Sequence, residues 1–361
     1  MIPVTQPNMP AIEDYVGYLK RIWTSKILTN RGEIHNELSA KLSEYLNVQQ
    51  LSLCSSGTMG LLIALKALNL KGEVITTPYT FAATTNVLIW SGLKPIFVDI
   101  EEDTFNIDPN KIESAITENT SAILAVHVYG NPCKLEAIEE IAKRHNLKII
   151  YDAAHAFGVE DKNKSILEFG DISVMSFHAT KIFTTGEGGA IISRDPDTKE
   201  SIDRLINFGL DQEFKIKNCG INGKMSELHA AFGLAQLNNI DEVIKKNSEV
   251  DGIYRKFLAT VEGIACWESR ASKQNYSYFP ILTKESYPFT RDELYKKMIL
   301  NSIGVRRYFY PLISELPLYQ NLPSASHSHL PIANKIANQI LCLPIYSNLN
   351  ELQLQEILHI L

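Results

Sequence analysis

The stretch SFHATKIFTTGEGGAIIS, from Ser176 to Ser193, places one lysine where residue types and spacing point to chemistry. A short apolar run leads into Ser, His and Thr, then Lys181, then Gly186, Gly188 and Gly189, then a second β-branched run. A lysine that only keeps a surface soluble needs no such setting. A lysine that forms a Schiff base does, because its amine must be desolvated to be neutral, and glycine lets backbone approach a ligand closely. Three other groups invite the same question. In SSGT (55–58) an apolar run gives way to a helical pattern; the free N–H groups there, with the hydroxyls of Ser56 and Thr58, either bind a phosphate or only cap the helix. In DAAH (152–155), which ends LKIIY, Asp152 is either the cap of a following helix or the partner of a buried cation such as a protonated pyridine nitrogen. In TPYTFAAT, Phe81 either stacks on a planar ring or fills core.

Such groups need a frame, and the chain supplies one. QLSLCS (50–55), EVITTP (73–78), KPIFVDI (94–100), SAILAVHVYG (121–130) and LKIIYDAA (147–154) read as strands, each followed by an amphipathic or capped segment. One of these, DPNKIESAIT, has Asp108 as N-cap and Pro109 in the first turn. Strands alternating with helices predict an α/β fold with a mostly parallel central sheet and helices on both faces. ISVMSF (172–177) and GAIISRD (189–195) are joined only by the lysine loop and predict an antiparallel or irregular part of that sheet. From about residue 225 the pattern turns helical. NYSYFPILT then reads as a strand and RDELYKKMILNSIG as a helix. The expected division is a large domain with an N-terminal arm over 1–240 and a small C-terminal α+β domain over 241–361. Ligands of open α/β sheets bind at the carboxyl ends of strands, where all four groups fall.

Composition narrows the function. A formal net charge of −6 without a basic stripe argues against nucleic acid as partner. The five cysteines are scattered, with no CxxC pair, which argues against a zinc site and a disulfide framework. No apolar run has the length of a membrane span, and the polar, Pro-rich start MIPVTQPNMPAIEDY has no signal-peptide pattern; the expected setting is cytoplasmic, with no membrane partner and no metal. Together, a phosphate cradle, a ring-nitrogen carboxylate, a stacking aromatic and a Schiff-base lysine on one sheet edge are what pyridoxal 5'-phosphate requires.

At this point the chain resembles the DegT/StrS family of sugar aminotransferases. The resemblance spans essentially the whole length and rests on IWTSKILTNRGEIHNEL, SSGT, PYTFAAT, FVDIEEDTFNID, HVYGNPC, YDAAHAFG, SFHATK, GEGGAI, GINGKMSELHAAFGLAQL and RRYFYP. It implies the aspartate aminotransferase-like fold (fold type I) and pyridoxal phosphate as cofactor. It also implies a role for each matching residue. Lys181 carries the cofactor and shuttles protons. Asp152 pairs with the ring nitrogen, His155 lies by the ring near its phenolic oxygen, and Phe81 stacks on it. Ser56, Gly57, Thr58 and Ser176 hold the phosphate. Asn222 reaches the phosphate of a neighbouring subunit's cofactor, which implies a homodimer with shared active sites.

The lysine loop sorts within the family. C-3-aminating members read like SFYPTKNLGALGD, and the dehydratases replace the lysine with His. Here His178 precedes Lys181 by three and Glu187-Gly188-Gly189 follow, the pattern of the C-4-aminating members. The implied reaction moves the amino group of L-glutamate to C-4 of dTDP-4-keto-6-deoxy-D-glucose. The galacto epimer, C-3 amination of a related keto sugar and a non-catalytic binding protein are the alternatives. For substrate, the resemblance points to GVRRYFYP (304–311). Arg306 or Arg307 faces the donor carboxylate or the nucleotide diphosphate, or the two are surface arginines beside core tyrosines. Tyr308 and Tyr310 are open to both readings. His178, with Glu187 across the loop, contacts the sugar or supports the loop. Thr29 and Asn30 touch the sugar nucleotide or cap the helix that starts near Gly32.

Overall fold

A computed structural model describes residues 1–361. Twelve strands are formed: β1 Leu51–Cys54, β2 Glu73–Thr76, β3 Lys94–Phe97, β4 Thr120–Val126, β5 Lys148–Asp152, β6 Glu160–Asp161, β7 Lys164–Ser165, β8 Ile172–Ser176, β9 Gly189–Ser193, β10 Ile264–Cys266, β11 Phe279–Thr283 and β12 Ile340–Leu343. The helices that matter here are α1 Ile12–Ser25, α2 Glu33–Tyr45, α3 Gly57–Ala67, α4 Ala82–Trp90, α5 Pro109–Ile112, α6 Leu135–His145, α7 Pro196–Leu205, α8 Glu227–Leu237, α9 Ile240–Leu258 and α10 Arg291–Leu300. Seven strands make the central sheet in the order β1-β9-β8-β5-β4-β2-β3. The pairs β2/β3, β2/β4, β4/β5 and β5/β8 are parallel, and β9 runs antiparallel to both neighbours. The strands on either side of the lysine loop are therefore adjacent and antiparallel, as expected.

Side-chain alternation explains why these strands read as unbroken apolar runs. Ile75, Ile123, Ala125, Tyr151, Met175 and Ile192 point into one core, with Leu38, Leu42, Ile138 and Leu234 from α2, α6 and α8. Val74, Leu124, Ile150, Val174 and Ile191 point into the opposite core, with Leu61, Leu65, Val87 and Leu205 from α3, α4 and α7. Both faces are covered, as a parallel sheet requires. Each such Ile or Leu contributes roughly 2 kcal/mol by burial, so the strand ends are held by a rigid double-sided core. Pro95 is accommodated because β3 is an edge strand.

A second, antiparallel sheet of β10, β11 and β12 has its own core of Val250, Tyr254, Leu258, Phe279, Leu294 and Leu343. Helix α9 links the two: Ile240 and Val243 pack in the first core, Val250 and Leu258 in the second. Ile2 also packs in the second core and pairs with Ile303. A further apolar cluster, with Tyr79, Phe97 and Tyr129 on one side and Phe309, Leu312 and Ile336 on the other, joins the carboxyl edge of the large sheet to the C-terminal part.

Two local expectations change. The helix over DPNKIESAIT is one turn, α5, followed by a 3-10 turn at Glu113–Ala115. Asp108 does cap it, accepting from the Asn110 N–H at 3.0 Å, but the Ser114 hydroxyl donates back to the Lys111 carbonyl at 2.9 Å and competes with helix continuation. The strand in NYSYFPILT begins only at Phe279: Asn275 is tied to the His155 and Phe157 carbonyls, Tyr276 breaks the extended backbone at φ 52, and Tyr278 lines the cleft.

Neither Thr29 nor Asn30 caps α2. Both are exposed, and Gly32 occupies the N-cap position without a side-chain bond. The cap comes from far along the chain. The buried carboxylate of Glu227 accepts from the Ile34 N–H at 2.9 Å and the His35 N–H at 3.3 Å. A Cβ on Gly32 would lie 2.7 Å from the Glu227 carboxyl carbon, so glycine is what lets the two segments meet. An anion at a helix start is favoured by the free N–H groups and the helix dipole. Glu227→Ala strands those donors in a buried site and is expected to cost about 2 kcal/mol in urea unfolding, with Glu227→Gln retaining part of the loss as the second measurement.

Candidate active site

The carboxyl ends of β1, β5 and β8 and the start of β9 meet at one edge, since Cys54 and Ser176 both pair with Gly189. Between this edge and Tyr278, Tyr308 and Phe309 lies a cleft of about 270 Å³. It is lined by Ser56, Gly57, Thr58, Phe81, Asp152, His155, Ser176, His178, Lys181, Glu187 and Tyr308 from among the residues singled out in the sequence.

At one end is a helix start. The Ser56 hydroxyl caps α3 by accepting from the Met59 N–H at 3.1 Å, while the first-turn N–H groups of Gly57 and Thr58 have no helical acceptor. Ser56 thus caps the helix and leaves the anion-binding donors free, so the two readings of SSGT are compatible. A Cβ on Gly57 would stand 2.9 Å from Cβ of Ser176, so only glycine brings the serine onto this helix start.

The middle of the cleft holds three titratable groups. Asp152 is buried and pairs with no cation. One oxygen accepts from the Thr84 hydroxyl at 2.7 Å and the other from the Ala154 N–H at 3.1 Å. Burial pushes its carboxyl above the ordinary range; these two bonds and the Lys181 charge pull the other way. It caps no helix, because the chain continues through turns to Val159. Burial also lowers the Lys181 amine below the usual lysine range, against the attraction of Asp152. Its Nζ donates to the Tyr278 hydroxyl at 3.2 Å. His155 is held well below its ordinary value by burial and then by the Lys181 charge. Its Nδ1 accepts from the Tyr129 N–H at 3.2 Å, and its ring lies 4.5 Å from that of Tyr278.

At the mouth, Phe81 is 64% exposed and lines the cleft, which excludes the reading of a core residue. His178 is exposed. Its Nδ1 lies 2.9 Å from the Thr180 hydroxyl, and Nε2 lies 3.7 Å from Glu187. Tyr308 edges onto Tyr278 at 5.8 Å between ring centres. The other candidates lie elsewhere. Thr29 lines no part of this cleft, and neither does the exposed Asn222, which bridges to Asn207. Arg306 is exposed, forms no ion pair, and pairs through its backbone with Cys342. Arg307 is committed to Asp292 at 2.9 Å. Tyr310 is turned away from the cleft, with the guanidinium of Arg291 at 4.3 Å and that of Arg307 at 4.9 Å from its ring. The physical reason is packing: Tyr308 and Phe309 line the cleft, while the ring of Tyr310 is taken up by the two guanidinium groups.

Sequence reasoning missed Thr84, Tyr129 and Tyr278. Thr84 sits three residues after Phe81 on the first turn of α4, so its helical spacing was a usable signal. Nothing near Tyr278 marks it, since it meets Lys181 from 97 residues away.

The family model of DegT/DnrJ/EryC1/StrS aminotransferases matches residues 11–361. The chain belongs to this family. It is 50% identical over 352 residues, covering 97% of the chain and 95% of the relative, to the dTDP-4-amino-4,6-dideoxy-D-glucose transaminase of Escherichia coli. Among solved structures it is similar to DesI in the presence of its TDP-sugar product, with a TM-score of 0.95 and 32% identity over 99% of this chain and 91% of that one. It is also similar to ntda from Bacillus subtilis with the cofactor PMP bound, with a TM-score of 0.87 and 30% identity over 97% of this chain and 81% of that one. The fold is the aspartate aminotransferase-like fold type I. The residues fit a phosphorylated pyridine aldehyde: a buried carboxylate lacking a cation, a helix start with free donors, an exposed aromatic and a desolvated lysine share one cleft.

The depressed Lys181 amine carries a pH signature. Its folded pKa lies below the unfolded one, so between the two the unfolded chain binds more protons and stability rises with pH. Below that window the folded protein bears the full cost of a buried ammonium. In cofactor-free protein, Lys181→Met is expected to raise Tm at pH 7, and the gain should shrink as pH climbs toward the ordinary lysine range. A gain independent of pH would refute a desolvated amine.

Proposed function

We propose that this protein transfers the amino group of L-glutamate to C-4 of dTDP-4-keto-6-deoxy-D-glucose, giving dTDP-4-amino-4,6-dideoxy-D-glucose and 2-oxoglutarate, with pyridoxal 5'-phosphate as cofactor. The observation that carries it is the desolvated Lys181 facing Asp152 and His155 in one cleft, in a chain so similar to the E. coli transaminase. When bound, the cofactor supplies an electron-withdrawing ring that stabilises negative charge at the carbon losing its proton.

The protein groups divide the remaining work. The N–H groups of Gly57 and Thr58, with the hydroxyls of Ser56 and Ser176, hold the phosphate. Asp152 keeps the ring nitrogen protonated, and the cationic nitrogen relieves the buried carboxylate. His155 donates from Nε2 to the ring oxygen, and Phe81 covers one ring face. Lys181, its amine held below the usual lysine range by desolvation, takes a proton from Cα of glutamate at Nζ once it has given up its own. In the second half of the cycle it delivers one to C-4 of the sugar. Tyr278 holds Nζ between these events. His178, Glu187 and Tyr308 stand at the mouth where sugar hydroxyls enter. Arg306, which has no ion pair, is left for the donor carboxylate or the nucleotide diphosphate.

The chain acts as a homodimer. Exposed Trp23, Ile27, Leu28, Phe214, Ile216 and Ile221 supply apolar surface on α1 and the segments beside Thr29 and Asn222, and Asn222 reaches the phosphate in the second copy. The functional units are 1–240 and 241–361. No helix is long and apolar enough to cross a membrane, and all five cysteines are free, which supports work in the cytoplasm.

The test incubates protein, pyridoxal phosphate, glutamate and dTDP-4-keto-6-deoxy-D-glucose and reads the product by mass spectrometry and NMR. An equatorial amine at C-4 is expected. An axial amine at C-4 would overturn the product assignment, an amine formed only at C-3 of a 3-keto sugar would overturn the substrate assignment, and no amine from any keto sugar would overturn the function. Lys181→Ala is expected to lower turnover by about a thousandfold or more while leaving the circular dichroism spectrum unchanged.

A further inference from the structure

The turn after β4 holds a bulky residue where side chains rarely go. Tyr129 has φ 55 and ψ 18, in the left-handed region, and Gly130 follows at φ 84. Such strain persists only where the surroundings over-determine it. Here they do. The Tyr129 N–H donates to Nδ1 of His155 at 3.2 Å. Its hydroxyl lies 2.8 Å from that of Tyr79. Both hydroxyls reach the same acceptor, the carbonyl oxygen of Tyr308, Tyr79 at 2.6 Å. A Cβ on Gly130 would stand 2.7 Å from the His155 carbonyl oxygen, so glycine lets the turn close on the histidine. That oxygen also accepts from the Asn275 amide at 2.9 Å.

We propose that Tyr129 is a positioning residue for the cleft: its backbone N–H fixes His155 as the tautomer with hydrogen on Nε2, and its hydroxyl, with that of Tyr79, fixes the Tyr308 backbone in the facing wall. A neutral imidazole whose Nδ1 accepts must carry its proton on Nε2. The groups beside His155 keep it neutral: the Lys181 charge repels a second proton, and Tyr129, Tyr278 and Phe309 bury the ring. The Tyr308 carbonyl has two lone pairs and two hydroxyl donors, so it is saturated. One residue thereby sets both the direction of the histidine donor and the place of the opposite wall. This deepens the function proposed above, which assigns His155 to the ring oxygen and Tyr308 to the sugar.

The first measurement is nitrogen NMR on cofactor-free protein with labelled histidine, the His155 signals assigned by their loss in His155→Gln. Protonated Nε2 and unprotonated Nδ1 at neutral pH are expected; hydrogen on Nδ1 would overturn the histidine half. Gly130→Ala, which pushes the turn off the histidine, should mix the two tautomers, and an unmixed signal in the folded variant would count against the role of the turn. This arm needs neither cofactor nor sugar, so it stands or falls apart from the proposed reaction. The second measurement compares Tyr79→Phe, Tyr129→Phe and the double variant. Each single variant leaves one hydroxyl on the Tyr308 carbonyl and should raise KM for the keto sugar by less than about fivefold, the weight of one hydrogen bond. The double variant should exceed the product of the two by about fivefold or more, with the His155 tautomer unchanged. A double effect equal to that product would overturn the wall half.

Discussion

A carboxylate buried without a cation is the constraint on which this site depends. Asp152 ends a strand that is covered on both faces and is itself buried at the floor of the cleft. Two neutral donors, the Thr84 hydroxyl and the Ala154 N–H, offset part of the cost of desolvation, but neither brings a charge. The charge of Lys181 acts on Asp152, yet the two form no ion pair and the amine is itself desolvated. The two groups therefore shift in opposite senses, the acid upward and the amine downward, and both lean toward neutrality. A cationic ring nitrogen held against Asp152 would remove the penalty on the carboxylate. It would also offset the Asp152 charge that raises the Lys181 amine, and so favour the unprotonated base that proton transfer requires.

Holding that carboxylate in place requires a stiff frame, and the sheet supplies it. Even and odd positions of β2, β4, β5, β8 and β9 enter two separate cores, so a one-residue slip would exchange whole faces. The register is thus fixed on both sides, and with it the strand ends that carry Ser56, Asp152 and Ser176. Glycine completes the fit only where segments touch: Gly57 against Ser176, and Gly189 against the start of α3, where a Cβ would lie 2.8 Å from the Gly57 nitrogen. The N-terminal half of α2 depends on a similar approach, with Glu227 reaching back across nearly two hundred residues to satisfy its first N–H groups.

Much of this was legible in the sequence because it is local. Alternating runs gave the parallel sheet, and the short connection around Lys181 gave the antiparallel step at β9. The polar residues SSGT, DAAH and SFHATK lie at strand ends, where a ligand site belongs in such a fold. What stayed hidden is long-range. Thr29 and Asn30 have the residue types of caps, but the cap of α2 is Glu227, which no spacing rule connects to it. Tyr308 and Tyr310 look equivalent in RRYFYP, and only packing decides that the first meets the cleft and the second lies against Arg291 and Arg307. Tyr278 had no signature at all, because its role exists only once the second sheet is placed beside the first.

That placement is also what turns a sheet edge into a closed site. The apolar cluster joining Tyr79, Phe105 and Tyr129 to Phe309, Leu312 and Ile336 seats the C-terminal part over the strand ends. An apolar seam alone is non-directional and would tolerate sliding. The hydroxyls of Tyr79 and Tyr129 remove that freedom: buried, they must find partners, and the Tyr308 carbonyl is the acceptor within reach of both. Polar satisfaction inside an apolar seam thus converts loose adhesion into one register between the two halves. The wall that faces Lys181 and His155 is set by the same requirement that pairs the buried hydroxyls of Tyr79 and Tyr129.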